Sequence, residues 1–274
     1  MKKTSKLLAL ALAGAMMLGL TACGGTAGAG SAANSSAPAA SEPAAAAGSA
    51  AASDKAYNIG ICQLVQHEAL DAATKGFKDA LTEKLGDKVT FDEQNAAGDS
   101  ATCATICNQF VSSNVDLIMA NATSALQAAT AATDSIPILG TSVTDYGTAL
   151  DIADWTGTTG KNVSGTADLA PLDKQAEMIK ELFPDAKNVG LLYCSAEPNS
   201  KYQATKITEA LTEMDYTCTE YTFADSNDVA SVTTTACDAS DVLYIPTDNT
   251  AASCAEAINN VAAPAKTPIV AEIG

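Results

Sequence analysis

From Tyr57 onward, short runs of apolar and β-branched residues alternate with longer segments in which apolar side chains return every three or four positions. The short runs predict strands at Tyr57–Leu64, Lys88–Gln94, Val115–Ala120 and Ile136–Leu139, then, after a break, at Asn188–Cys194, Thr217–Thr222, Asp241–Ile245 and Pro268–Ala271. Several are apolar throughout, as strands covered on both faces must be. Between the first two, Leu70, Ala73, Phe77, Ala80 and Leu81 form one face of a helix and Asp71, Lys75, Lys78 and Asp79 the other. A second amphipathic helix opens at Pro171, runs through Leu172, Ala176, Ile179 and Leu182, and ends at Phe183-Pro184. Further helical segments follow Asp99, Thr123, Asn199, Ser226 and Asn249, polar residues able to cap a first turn. This alternation predicts an α/β class with two doubly wound parallel-sheet lobes, residues 55–165 and 166–274. The regularity fails between Val143 and Asp168, a stretch rich in Thr, Gly, Asp and Asn anchored by Trp155, where the crossover is expected. The crevice between such lobes faces the carboxyl ends of their strands, where ligands bind.

The first residues follow a different rule. Lys2, Lys3 and Lys6 precede an apolar run from Leu7 to Leu20, the layout of a secretory signal over residues 1–22 and too short for a comfortable membrane span. The run closes on Leu20-Thr-Ala-Cys23, which resembles the bacterial lipobox; the resemblance implies that Cys23 carries lipid and anchors the chain to the outer face of the cell membrane. The alternative is an ordinary signal peptide followed by a chance cysteine. Residues 23–54 are almost wholly Ala, Gly, Ser and Pro, the composition of a tether. Without the three signal lysines, 12 basic residues face 32 acidic ones, a net charge of −20 that repels phosphate backbones and argues against nucleic acid as a partner. Of the eight cysteines, Cys23 is assigned to lipid, and the odd seven that remain read as free thiols. Cys103 and Cys107 would share a helical face, but without a nearby histidine or third close cysteine they read as core or surface thiols and no metal site is expected.

Several phrases carry a family resemblance: Ile59-Gly-Ile-Cys-Gln-Leu-Val-Gln-His-Glu-Ala-Leu-Asp71, Asn95-Ala-Ala-Gly-Asp99, Thr141-Ser-Val-Thr-Asp145, Lys180-Glu-Leu-Phe-Pro184, Ser195-Ala-Glu-Pro-Asn-Ser200 and Pro246-Thr-Asp-Asn249. On these the chain resembles the tryptophan/tyrosine-type ABC transporter substrate-binding proteins. The resemblance implies a type I periplasmic-binding-protein fold, a monomer whose lobes close over a small solute and then dock on an ABC permease served by its ATPase. It implies no chemistry on the ligand and no cofactor. It also implies that members continue past Ala271-Glu-Ile-Gly274 to complete the first lobe, so the first lobe is expected to be incomplete, truncated at the C-terminus.

An amino-acid ligand needs hydroxyl or amide donors, an acidic acceptor and an apolar wall. The helix opening at Thr123 and Ser124 offers free N–H groups and two hydroxyls suited to a carboxylate, and Thr141 and Ser142 at the end of the fourth strand can join it. Each hydroxyl serves equally as a cap or turn partner. For the ammonium, Glu197 and Asp248 follow strands of the second lobe, with Asp248 preferred and helix capping as its alternative role; Asn199, Ser200 and Asn249 add hydrogen bonds. His67 and Glu68 follow the first strand and read as ligand contacts or as the surface start of a helix. No catalytic residue is assigned, because no nucleophile–base pair, metal cluster or phosphate-cradling glycine loop is readable. A sugar, nucleoside or other solute, or a sensing rather than importing role, remains compatible with the same fold.

Overall fold

The computed structural model describes residues 55–272, and the signal segment and the whole tether, Cys23 included, lie outside the described residues. The first lobe is built from β1 (Tyr57–Gln63), α1 (Glu68–Leu85), β2 (Val89–Asn95), α2 (Ser100–Ser112), β3 (Leu117–Asn121), α3 (Thr123–Ala132), β4 (Ile138–Val143), the short α4 (Tyr146–Ala149) and β5 (Val163–Ala167). The second comprises α5 (Leu172–Leu182), β6 (Asn188–Cys194), α6 (Pro198–Glu213), β7 (Thr217–Phe223), α7 (Val229–Ala239), β8 (Val242–Ile245), α8 (Asn249–Ser253), α9 (Ala255–Ala265) and β9 (Ile269–Ala271). Strand order is β2-β1-β3-β4-β5 in one sheet and β7-β6-β8-β9 in the other, every pairing parallel. The two lobes pack into one unit.

Central and edge strands differ as burial demands. Ile59 to Gln63 of β1 and all of β8 are buried, whereas edge strands β2 and β7 keep many exposed positions. Apolar clusters cover both faces of each sheet. In the first lobe one gathers Leu126, Phe110, Ile118 and Ile138 and the other Ile59, Ile61 and Met119; in the second, one holds Ile179, Leu191, Ile207 and Tyr244 and the other Leu192, Phe223, Leu243 and Ile258. Gly60 shows how close the layers come: a Cβ there would sit 2.6 Å from Cγ of Phe110, so only glycine lets α2 lie against β1. Cys62, Cys103 and Cys107 are buried in the same contact, and all seven cysteines among the described residues are free thiols.

Two expectations need correction. The stretch Val143–Asp168 is not wholly irregular: it contains α4 and a fifth strand, Val163–Ala167, paired with β4. The expected lobe boundary between 165 and 166 therefore falls inside β5, and the chain leaves the first sheet after Ala167. Because β5 is an edge strand exposed after Val163, its Ser-Gly-Thr core carries no apolar run to announce it. Trp155, half-exposed, stacks on Tyr146 of α4 at 6.4 Å between ring centroids and anchors the segment as expected.

Candidate functional site

Each sheet changes winding direction between two central strands, β1 and β3 in the first lobe, β6 and β8 in the second. Loops leaving the carboxyl ends of those strands diverge and open a crevice. The residues they carry are His67 after β1, Ala122 and Thr123 after β3, Glu197 after β6, and Thr247, Asp248 and Asn249 after β8.

A buried network fixes the first-lobe side. Gln63 Nε2 donates to Asp71 Oδ1 at 2.7 Å, Thr74 Oγ1 donates to Gln63 Oε1 at 2.6 Å, and Asn121 Nδ2 donates to the Leu70 carbonyl and to Thr74 Oγ1. The start of α1 is thereby tied to the ends of β1 and β3, which sets the position of His67. At the neighbouring strand ends, Ala122 (φ 95°) and Ser142 (φ 55°) hold left-handed backbone conformations that cost a non-glycine residue free energy. Such strain persists only where surrounding structure enforces it; at Ala122 it turns the chain into α3, and at Ser142 it coincides with the irregularity in the β4–β5 pairing between Gly140 and Val143.

On the second-lobe side, Glu197 is a buried clamp. Its Oε1 accepts from the Thr250 N–H and hydroxyl, both at 2.8 Å, and its Oε2 accepts from the Asn249 N–H at 3.1 Å, Asn249 Nδ2 at 2.7 Å and Asn199 Nδ2 at 3.3 Å. Asp248 is equally engaged: Oδ1 accepts from the Ala251 N–H, capping α8, and Oδ2 from the Cys194 N–H and Ser200 Oγ, all at 2.7 Å. Burial, with the nearby Glu197 charge adding to it, pushes the Asp248 carboxyl up to about 7 against the pull of those three donors. Gln203 braces the same loop by exchanging hydrogen bonds with Thr247.

The lobes meet at two places. His67 Nε2 and Asn249 Oδ1 lie 3.2 Å apart, the imidazole donating, and they frame a small cavity of about 70 Å³ with Ala69, Leu70, Ser142, Asp168, Thr247, Asp248, Ala252 and Glu272. Beside it, Thr123, Thr144, Asp145 and Thr148 of the first lobe close against Asn199 and Tyr202 of α6. Among the described residues, four buried side-chain polar atoms lack a hydrogen-bond partner, and two of them, Thr123 Oγ1 and Asn199 Oδ1, line this seam from opposite sides. Asn199 Nδ2 is committed to the Thr247 carbonyl at 2.9 Å, so its orphaned atom is an acceptor.

The sequence-derived site residues thus separate. His67, Ser142, Asp248 and Asn249 line the cavity, and Thr123 and Asn199 line the adjoining seam. Glu197 and Ser200 stand behind them as partners of Asn249 and Asp248. Ser124 is buried in the first turn of α3, and Glu68 is exposed at the start of α1. Thr141 does not reach the cleft: β4 continues to Val143, so Thr141 lies within the strand and faces a hollow lined by Ala73, Phe77 and Met119, while its neighbour Ser142 faces the crevice. Asp168 and Glu272 line the cavity and were missed. Asp168 follows a strand with no apolar signature, although the strand-end rule points to it once β5 is recognised.

Larger hollows of about 450 and 460 Å³ flank β5, one lined by Tyr146, Trp155 and residues 157–161, the other by Phe77, Leu139 and Thr141. Both belong to the first lobe alone and lie away from either switch point, so the polar groups that converge from two lobes single out the smaller cavity. Pockets that hold small molecules typically measure about 300 Å³ or more, and the interlobe cavity at about 70 Å³ is smaller than that. Among the described residues, no group of three His, Cys, Asp or Glu side chains is placed to hold a metal ion, and no helix is long and apolar enough to cross a membrane.

Comparison with known proteins bears on this arrangement. A tyrosine-binding protein of Clostridioides difficile is 40% identical over 222 residues, covering 80% of this chain and 64% of its own; the chain thus spans less than two thirds of that relative's length. The structure of an ABC domain from Streptococcus pneumoniae in complex with L-Trp is similar with a TM-score of 0.75 at 32% identity, covering 80% of this chain and 74% of that one. A ligand-free, open substrate-binding protein with adhesive properties from Clostridium difficile, 38% identical, gives 0.54 over 78% of this chain and 74% of its own. The less identical protein superposes better, which puts the lobes nearer to the arrangement of the L-Trp complex than to the open one. With two parallel-sheet lobes of the type I periplasmic-binding-protein kind and residues 58–273 matching the family described as ABC transporter substrate binding protein, the chain belongs to that family.

Proposed function

We propose that the chain is the substrate-binding component of an ABC importer, taking a small solute, an aromatic or related amino acid, into the interlobe cleft and delivering it to a membrane permease and its ATPase. The observation that carries this reading is the seam itself: Thr123 Oγ1 from one lobe and Asn199 Oδ1 from the other are buried to 3% and 4% exposure and lack partners, as groups do when a ligand completes their hydrogen bonding. The L-Trp complex and the tyrosine-binding relative favour an amino acid over other solutes. Ligand capture here is binding without chemistry: the cleft has carboxylates, hydroxyls and one imidazole but no nucleophile held by a base, so the protein is read as a carrier and not an enzyme. The leader and Cys23 support export and a lipid anchor on the outer face of the cell membrane, with residues 23–54 as tether.

Domain closure supplies the signal to the permease, because a ligand that touches both lobes stabilises the closed form by its differential affinity. A thermal-shift panel of amino acids, sugars and nucleosides tests the assignment. Stabilisation by L-tryptophan, L-tyrosine or L-phenylalanine is the expected result; stabilisation by a sugar or nucleoside alone contradicts it.

A further inference from the structure

The reading above needs a carboxylate for the ligand's ammonium, and the cleft offers three that differ in how many of their lone pairs are already used. Asp248 receives three protein donors, one on Oδ1 and two on Oδ2, every one within the second lobe. Behind it, Glu197 is more heavily engaged still and lines no part of the cavity. Glu272 is held through Oε2 by Gln175 Nε2 at 2.6 Å, and Gln175 is itself fixed by the Tyr244 hydroxyl. Asp168 stands apart. Its backbone N–H extends the β4–β5 ladder to the Val143 carbonyl at 3.2 Å, which roots it at the strand end, while its exposed side chain borders the cavity and interacts with the Thr144 hydroxyl alone among side-chain donors. Partial desolvation on the side that borders the cavity, with a smaller contribution from Glu272, holds its carboxyl above the usual range, the condition that a neighbouring cation relieves. No lysine or arginine lines the cavity, and His67 is its one basic side chain.

A second, independent feature marks the same place as a ligand site. Thr144, the hydroxyl partner of Asp168, also lines the seam into which Thr123 Oγ1 and Asn199 Oδ1 present their unpartnered atoms. A zwitterion lying along this line meets a hydroxyl and the start of α3 at one end and a free carboxylate at the other.

We propose that Asp168 is the specificity-determining residue that accepts the ligand's ammonium, so that the cleft selects an α-amino acid over the same molecule without its amino group. Asp248 is then a positioning residue that holds α8 and, through it, Asn249 against His67. This assignment rests on the amino-acid reading of the cleft and sharpens it.

The test is titration calorimetry of the protein and of Asp168→Asn, Asp168→Glu and Asp248→Asn with L-tryptophan and L-tyrosine, and with indole-3-propionate and 3-(4-hydroxyphenyl)propionate as analogues lacking the ammonium. Wild type is expected to bind an amino acid and to discriminate strongly against its analogue. Asp168→Asn is expected to weaken the amino acid by about 10- to 100-fold, the range of one charge-assisted hydrogen bond, and to abolish the discrimination. Asp168→Glu should restore part of it. Asp248→Asn should lower the melting temperature yet keep the preference for the amino acid. If Asp168→Asn discriminates like wild type, or if the preference is lost in Asp248→Asn instead, the assignment to Asp168 is wrong while the amino-acid reading stands. If wild type itself binds no amino acid, the functional reading falls and the assignment with it.

Discussion

Replacing Glu197 by glutamine probes the clamp that shapes the second-lobe wall. The carboxylate accepts from five donors, two on Oε1 and three on Oε2. An amide keeps one oxygen but turns an NH₂ toward N–H donors that cannot receive it; of the five partners only the Thr250 hydroxyl can turn round and accept. At least one of the five bonds goes, and the others lose the charge of their acceptor. Hydrogen bonds to a charged acceptor contribute about 1.5–3 kcal/mol each and neutral ones about 0.5–1.5, so one bond lost and the remainder weakened should together destabilise by about 3–6 kcal/mol. In a folded region of this size each kcal/mol moves the melting temperature by about 2–4 °C, giving an expected fall of roughly 6–24 °C. Differential scanning calorimetry reads this directly, with Glu209→Gln as control, because Glu209 pairs only with Lys206 on an exposed face and should leave the transition unchanged. A fall under about 2 °C for Glu197→Gln would mean that the five contacts do not stabilise the loop as argued, and the placement of Asn249 would need another explanation.

Three further outcomes follow from the geometry. Asp248, pushed up to about 7 in the fold from an ordinary value of 3.8, holds a proton that the unfolded chain has already released; its contribution is therefore present below about pH 4 and is lost as pH rises through 7, so melting temperatures of wild type relative to Asp248→Asn should decline across that window, and a flat difference would count against the shift. His67→Ala removes the hydrogen bond that links the lobes through Asn249 and should weaken ligand binding by about 2- to 10-fold in calorimetric titrations, with little change in melting temperature. Gly60→Ala should cost about 1–3 kcal/mol in urea denaturation because the new methyl meets the Phe110 ring, and adding Phe110→Leu should recover part of it.

Eight strands were legible because their cores are apolar or β-branched runs, and the break before Asn188 marked the passage from one sheet to the other. The edge strand β5 escaped because four of its five residues face water, which leaves no burial pattern for a sequence to record. That omission cost the site its most exposed carboxylate, since Asp168 looks like any loop aspartate until the strand before it is known. Thr141 shows the converse. The end of β4 was read four residues early, and an irregularity between Gly140 and Val143 breaks the two-residue alternation there, so the sequence does not tell which of Thr141 and Ser142 faces the cleft. Glu197, Asn199, Ser200, Asp248 and Asn249 were readable as a group because strand-end position alone places them, but which of them are used up by one another is a tertiary fact: the donors to Asp248 come from Cys194, Ser200 and Ala251, up to 54 residues away.

The most direct measurement is a crystal structure of the protein grown with L-tryptophan or L-tyrosine at saturating concentration. The account predicts one amino acid between the lobes, its ends reaching Thr123 and Asn199 on one side and Asp168 on the other, with His67 and Asn249 closing over it. Density for the amino acid in the hollow beside Trp155, or lobes closed on an unaltered cavity with no ligand between them, would contradict it.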